Sequence, residues 1–135
     1  MRNEVGDMPN WIAVIDDDKT NLKTAGMILS RSNMKVSAYK SAQVFLDNMD
    51  GDSSPDLILL DILMPDCDGF EAFTRIRDRE KELGKSPVPI VFLTANDDPE
   101  ARKRGLEMGA VDFMEKPFVP DILVSRVKSI IGSKE

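Results

Sequence analysis

Six side chains able to do oxygen or amine chemistry stand at the ends of apolar runs: Asp16-Asp17-Asp18 after Trp11–Ile15, Asp61 after Leu57–Leu60, Thr94 after Val88–Leu93, and Lys116 just beyond Val111–Met114. If a fold gathers them, the carboxylates repel. At an effective dielectric of ~20, two of them about 4 Å apart cost roughly 4 kcal/mol, so several together need protons or a counter-charge. A hard divalent cation answers that need. Mg²⁺ takes oxygen ligands, keeps several waters, and is typically held by one or two carboxylates together with a phosphate. Lys116 offers an ammonium to a phosphoryl oxygen and Thr94 a hydroxyl. Taken singly, each element has a plainer reading: an Asp triplet is equally a solvated turn and helix cap, and a Thr at a strand end is commonly structural. The chemical reading rests on four elements falling at one edge of one sheet.

That edge has to be built by the rest of the chain. Five apolar runs, the four above and Val36–Tyr39, have strand length, and several are nearly continuous, as suits strands buried on both faces of a parallel sheet. Between them run segments of helical period. Leu22, Ala25, Gly26 and Leu29 fall at i, i+3, i+4, i+7, as do Ala42, Phe45, Leu46 and Met49. Phe73, Ile76, Glu80 and Leu83 form a looser stripe, Leu123, Val127, Ile130 and Ile131 a clear one, and the segment before Gly109 the weakest. Ser41 and Asp98, the latter followed by Pro99, are placed as N-caps, and Gly109 and Gly132 as residues just past helix ends. Strands alternating with helices predict an α/β fold: a doubly wound, five-stranded parallel sheet with five helices, whose ligands gather at the carboxyl ends of the strands. One such domain is expected over 11–132, with a polar extension at 1–10 and a short tail at 133–135.

Composition excludes other chemistries. The 135 residues contain no histidine, so neither Ser-His-Asp nor Cys-His catalysis nor a His-ligated zinc is available. A net charge of −6 argues against direct nucleic-acid binding, which needs clustered cations. One cysteine, Cys67, rules out an internal disulfide and suits a reducing compartment. It is expected as an exposed spacer. Arg102-Lys103-Arg104 reads as a solvated helix face, and the eight methionines mostly as core filler. No apolar run approaches the ~20 residues of a membrane span, so a soluble, cytoplasmic protein is expected.

From Trp11 to Ile131 the sequence strongly resembles the receiver domains of two-component response regulators. The most specific piece is Asp61-Ile-Leu-Met-Pro65-Asp-Cys-Asp68-Gly69, which is similar to D-x-x-M-P-x-x-D-G around that family's phosphorylated aspartate. Val-Ile-Asp16-Asp17 resembles its acidic pair, Phe92-Leu-Thr94-Ala95 its switch threonine, and Gly109-Ala-Val-Asp-Phe113-Met-Glu-Lys116-Pro117-Phe118 its closing motif. The resemblance implies a flavodoxin-like sheet of strand order 2-1-3-4-5, in which Asp61 is the nucleophile, Asp17 a direct Mg²⁺ ligand and Asp16 an outer or water-mediated one, and Leu63 lends its backbone carbonyl. Lys116 would pair with the acceptor and then with the phosphoryl group, and Thr94 would move to bond a phosphoryl oxygen. Phe113 stands in the place of the rotating aromatic, without a phenolic hydroxyl, and the Lys116–Pro117 bond is expected to be cis. The expected readout surface takes in 98–108, Phe113 and 119–131. Implied partners are a sensor histidine kinase or a phosphotransfer protein on one side and an output domain or protein on the other. A phosphorylation-dependent homodimer is compatible with this reading. Asn96 lies where the family varies its dephosphorylation rate.

A rival enzyme reading uses Asp16 instead. Asp16-x-Asp18-x-Thr20 after an apolar strand resembles the haloacid-dehalogenase phosphatases, with Thr94 and Lys116 in the order of that family's later elements. Against it, no cap insertion or later acidic motif is evident, and the match around Asp61 goes unexplained. A nonphosphorylated interaction module on the receiver fold would not need the full set of acceptor residues. The sequence leaves open whether it stands alone or belongs with a DNA-binding, cyclic-dinucleotide or kinase domain.

Overall fold

A computed structural model describes residues 10–65, 67–95 and 98–132. Five parallel strands, β1 (Trp11–Ile15), β2 (Lys35–Tyr39), β3 (Leu57–Asp61), β4 (Ile90–Thr94) and β5 (Asp112–Glu115), form one sheet of order β2-β1-β3-β4-β5. Among the described residues five helices alternate with them: α1 (Lys19–Ser30), α2 (Ala42–Asp47), α3 (Gly69–Glu82), α4 (Pro99–Met108) and α5 (Pro120–Gly132). This is the expected doubly wound architecture and strand order.

Strand periodicity explains the layering. Ala13, Ile15, Ile58, Leu60, Phe92 and Phe113 point to the face covered by α2, α3 and α4, while Ile12, Val14, Leu57, Leu59, Val91, Leu93 and Met114 point to that covered by α1 and α5. The central strands β3 and β4 are therefore buried at every position. Each fully buried aliphatic side chain contributes about 1.5–3 kcal/mol, so register is strongly held. Pairing of Ile15 with Leu60 and of Asp61 with Leu93 brings the carboxyl ends level.

Caps mark the helix starts. Asp18 accepts from the Thr20 and Asn21 amides, Ser41 from Val44, Asp68 from Glu71 and Asp98 from Glu100. Gly109, at φ 112°, closes α4 in the left-handed conformation that side chains resist. Gly132 differs from expectation, since it is the last residue of α5 rather than one beyond it.

One strand boundary shifts for an identifiable reason. Val88 is buried but precedes β4, because its amide donates to the Glu80 carboxylate at 2.8 Å instead of to a neighbouring strand. Glu80 occupies an apolar-stripe position and is itself buried, paired with Arg77 at 2.8 Å. Glu80→Ala strands the Val88 amide and loosens Arg77, with an expected cost of about 2–3 kcal/mol in urea unfolding. Glu80→Gln, which keeps an acceptor for Val88, should cost clearly less.

Helix α4 explains its weak sequence period: Gly105 is its one buried residue. Its grip is aromatic, with the Arg104 guanidinium 4.2 Å from the Phe70 ring centre and that of Arg102 5.2 Å from Phe113. The basic triplet is thus only partly a solvated face, since two of its members cover rings.

Candidate functional site

β1 delivers the acidic triplet and splits it three ways. Asp16 is fully buried: its amide donates to the Tyr39 carbonyl at 3.0 Å, and its carboxylate accepts from the Asp18 amide at 3.0 Å. Asp17 faces solvent, and Asp18 turns away to cap α1. Asp61 is the buried last residue of β3, two strands' ends from β5. Thr94 ends β4, and its carbonyl accepts the Lys116 amide at 2.7 Å, which ties the lysine's backbone to the same edge.

The Lys116 ammonium then reaches both acids, at 3.0 Å from Asp16 Oδ2 and 3.0 Å from Asp61 Oδ1. Carboxylate oxygens of Asp16, Asp17 and Asp61 all lie within 4.8 Å of one another. Three carboxylates against one ammonium leave two negative charges to be balanced, and a divalent cation fits that deficit with an all-oxygen donor set. Burial is the main force on the Asp61 carboxyl and pushes it up to about 6; the Lys116 hydrogen bond opposes this, and the charges of Asp16 and Asp17 add to it. Burial pulls the Lys116 ammonium down, but the bonds and charges of Asp61 and Asp16 outweigh it and hold the group above its ordinary value.

The other candidate residues lie around this centre. Leu63, two beyond Asp61, has a side chain 68% exposed, so burial does not explain it. Phe113 is buried, its ring centre 6.0 Å from that of Phe92. The Lys116–Pro117 bond is cis. Cys67 overturns its reading as an exposed spacer: at 7% exposure it belongs to the buried core cluster that also holds Met64 and Phe70. Asn96, the extension at 1–9 and the tail at 133–135 lie outside the described residues. Sequence reasoning attached no role to Gly69 or Gly105. A Cβ on Gly105 would stand 2.8 Å from the Phe92 ring.

A doubly wound parallel sheet carrying a lysine-bridged acid cluster at its carboxyl edge defines a class of α/β domains whose site lies at the strand ends. Within that class, residues 12–128 match the family model described as the response regulator receiver domain, and the chain belongs to that family, a signalling domain of two-component systems. It is 34% identical over 124 residues to the transcriptional regulatory protein FixJ of Bradyrhizobium diazoefficiens, covering 92% of this chain and 58% of the relative. It is 35% identical over 128 residues to the alkaline phosphatase synthesis transcriptional regulatory protein PhoP of Bacillus subtilis, covering 95% and 51%. The chain thus spans little more than half the length of these relatives. Among solved structures it is similar to a BeF3-activated DrrB receiver domain, with TM-score 0.78, 32% identity, and 93% and 99% coverage of the two chains. The non-phosphorylated HemR receiver domain of Leptospira biflexa gives TM-score 0.76 at 30% identity, with 90% and 94% coverage. Among the described residues no helix is long and apolar enough to cross a membrane.

Proposed function

We propose that this chain is a Mg²⁺-dependent phosphoacceptor in which Asp61 takes a phosphoryl group from the phosphohistidine of a sensor kinase or phosphotransfer protein. The observation that carries the reading is the Lys116 ammonium shared between Asp61 and Asp16 at the mouth of the acid cluster. An Asp61 oxygen attacks phosphorus, and the new P–O bond forms as the P–N bond breaks. The electron pair of that bond leaves on the imidazole nitrogen, which is protonated from solvent. With its carboxyl near 6, Asp61 is ionised at neutral pH and ready to attack. Asp16, Asp17, Asp61 and the Leu63 carbonyl would hold Mg²⁺, which when bound neutralises charge on the transferring oxygens. Lys116 turns from the Asp61 carboxylate to a phosphoryl oxygen while keeping Asp16, and the Thr94 hydroxyl bonds a second oxygen.

The product carries about −1.5 to −2 charges. Its bonds to Thr94 and Lys116 bias α4, Phe113 and α5 between two arrangements, and a shift from 1:99 to 99:1 needs roughly 5.5 kcal/mol of differential stabilisation. That surface passes the signal to an output domain or protein. Asp16 is the poorer nucleophile, because both of its oxygens already accept bonds.

Incubation with acetyl phosphate and MgCl₂, intact mass and borohydride trapping test the reading. An adduct of one phosphoryl on Asp61 is expected, slowed about 10²-fold or more when EDTA replaces Mg²⁺, since such an ion supplies several kcal/mol. An adduct on Asp16 would move the chain to the phosphatase reading, and a metal-independent Asp61 adduct would remove the cation from the mechanism.

A further inference from the structure

We infer that Gly69 is a positioning residue for the metal-binding loop, seating the first turn of α3 on the acceptor's own peptide. The inference rests on the proposed metal role of Asp16, Asp17 and Asp61. A Cβ built on Gly69 would stand 2.7 Å from the Asp61 carbonyl oxygen, 2.8 Å from Ile62 Cα and 3.3 Å from the Asp61 carbonyl carbon. Carbon contacts are otherwise optimal near 3.5–4.0 Å. All three obstacles are backbone atoms, so no side chain can swing aside. The φ of Gly69 is not in the left-handed region, so contact rather than conformation demands glycine here. The Gly69 amide also donates to the Ile62 carbonyl at 2.6 Å. The N-cap of α3 does other work, since Asp68 accepts from the Glu71 amide.

The surroundings decide where a displaced contact would be felt. On one side β3 is buried at all five positions, and on the other α3 buries six residues from Gly69 to Glu80. Neither rigid body yields readily. Between them lies the backbone at Ile62 and Leu63, outside both elements, which follows the Asp61 carboxylate and carries the Leu63 carbonyl. Closure of Gly69 onto Ile62 therefore fixes the spacing of two proposed oxygen donors. Supports of this kind, one step removed from the metal, typically carry 10–100-fold in metal affinity.

Calorimetric titration with MgCl₂ of the wild-type chain, Gly69→Ala and Asp68→Ala tests this. Asp68→Ala weakens the same helix through its cap without touching Asp61. Gly69→Ala is expected to bind Mg²⁺ at least tenfold more weakly, and Asp68→Ala within about twofold of wild type. Equal affinity in Gly69→Ala and wild type, or an equal loss in both variants, overturns the role of Gly69 and leaves the metal site standing. A wild-type chain that takes up no Mg²⁺ overturns both. Should Gly69→Ala not fold, amide exchange on the wild type decides, because linkage is reciprocal. Saturating MgCl₂ should then slow exchange of the Gly69 amide at least fivefold more than that of the remote Leu123 amide in α5, and no difference between them overturns the inference.

Discussion

Asp61→Asn is expected to abolish acyl phosphate formation and, in metal-free buffer at pH 7, to make the protein more stable by about 3 kcal/mol. Both effects have one source. The Asp61 carboxyl is held near 6 against an ordinary 3.8, chiefly by burial, and about two pKa units correspond to about 3 kcal/mol. Between these values the folded chain binds more protons than the unfolded one, so stability falls as pH rises through that window. The cost is absent below about 4 and complete above about 6. Asparagine keeps the shape and an acceptor for Lys116 while discarding the charge. Urea unfolding from pH 3.5 to 7.5 should therefore show the two proteins converging in acid and diverging toward neutrality. Added Mg²⁺ should narrow the gap by stabilising the wild type. Equal stability at pH 7 would mean that the Asp61 carboxylate is solvated better than its burial implies.

Lys116→Ala should be the most destabilising single change at the site, at about 3–5 kcal/mol near pH 7. Asp16 is fully buried and Asp61 nearly so, and the ammonium 3.0 Å from each is what their charges face. Removing one partner leaves uncompensated buried charge, which costs far more than the pair itself contributes. Acidification should return part of the loss, as should Mg²⁺, and the return should begin above the wild-type value of about 6, because Lys116 no longer pulls the Asp61 carboxyl down. Acyl phosphate formation should also slow, because no cation follows the phosphoryl oxygens. Lys116→Arg should rescue stability better than transfer, since the planar guanidinium does not replace a compact ammonium reaching two acids. Urea midpoints with and without MgCl₂, beside trapping rates, separate these effects; an unchanged midpoint in Lys116→Ala would show that the carboxylates are balanced by other means.

Much of this was legible before folding. Continuous apolar runs at 57–60 and 88–93 read as doubly buried strands because burial on both faces removes alternation, although the second strand starts only at Ile90. Ser41, Asp98 and Gly109 read as caps because capping depends on a few neighbouring backbone groups. Cys67 was misplaced because a polar-looking loop can still turn one side chain into the core. Glu80 was read within an apolar stripe, but its partner, the Val88 amide, belongs to a segment beyond the helix. Helix α4 was faint because Gly105 and two guanidiniums on aromatic rings hold it, and neither leaves an apolar period.

By itself the sequence determined the strand and helix order, the family, and which side chains stand at the strand ends, because these follow from local period and from motifs contiguous in the chain. Tertiary structure decided the division of labour within the acidic triplet, the raised Asp61 carboxyl, the sharing of Lys116 between two acids, and the need for glycine at position 69. Each of those depends on distances between atoms far apart along the chain, and only a packed interior sets such distances and removes the water that would otherwise screen them.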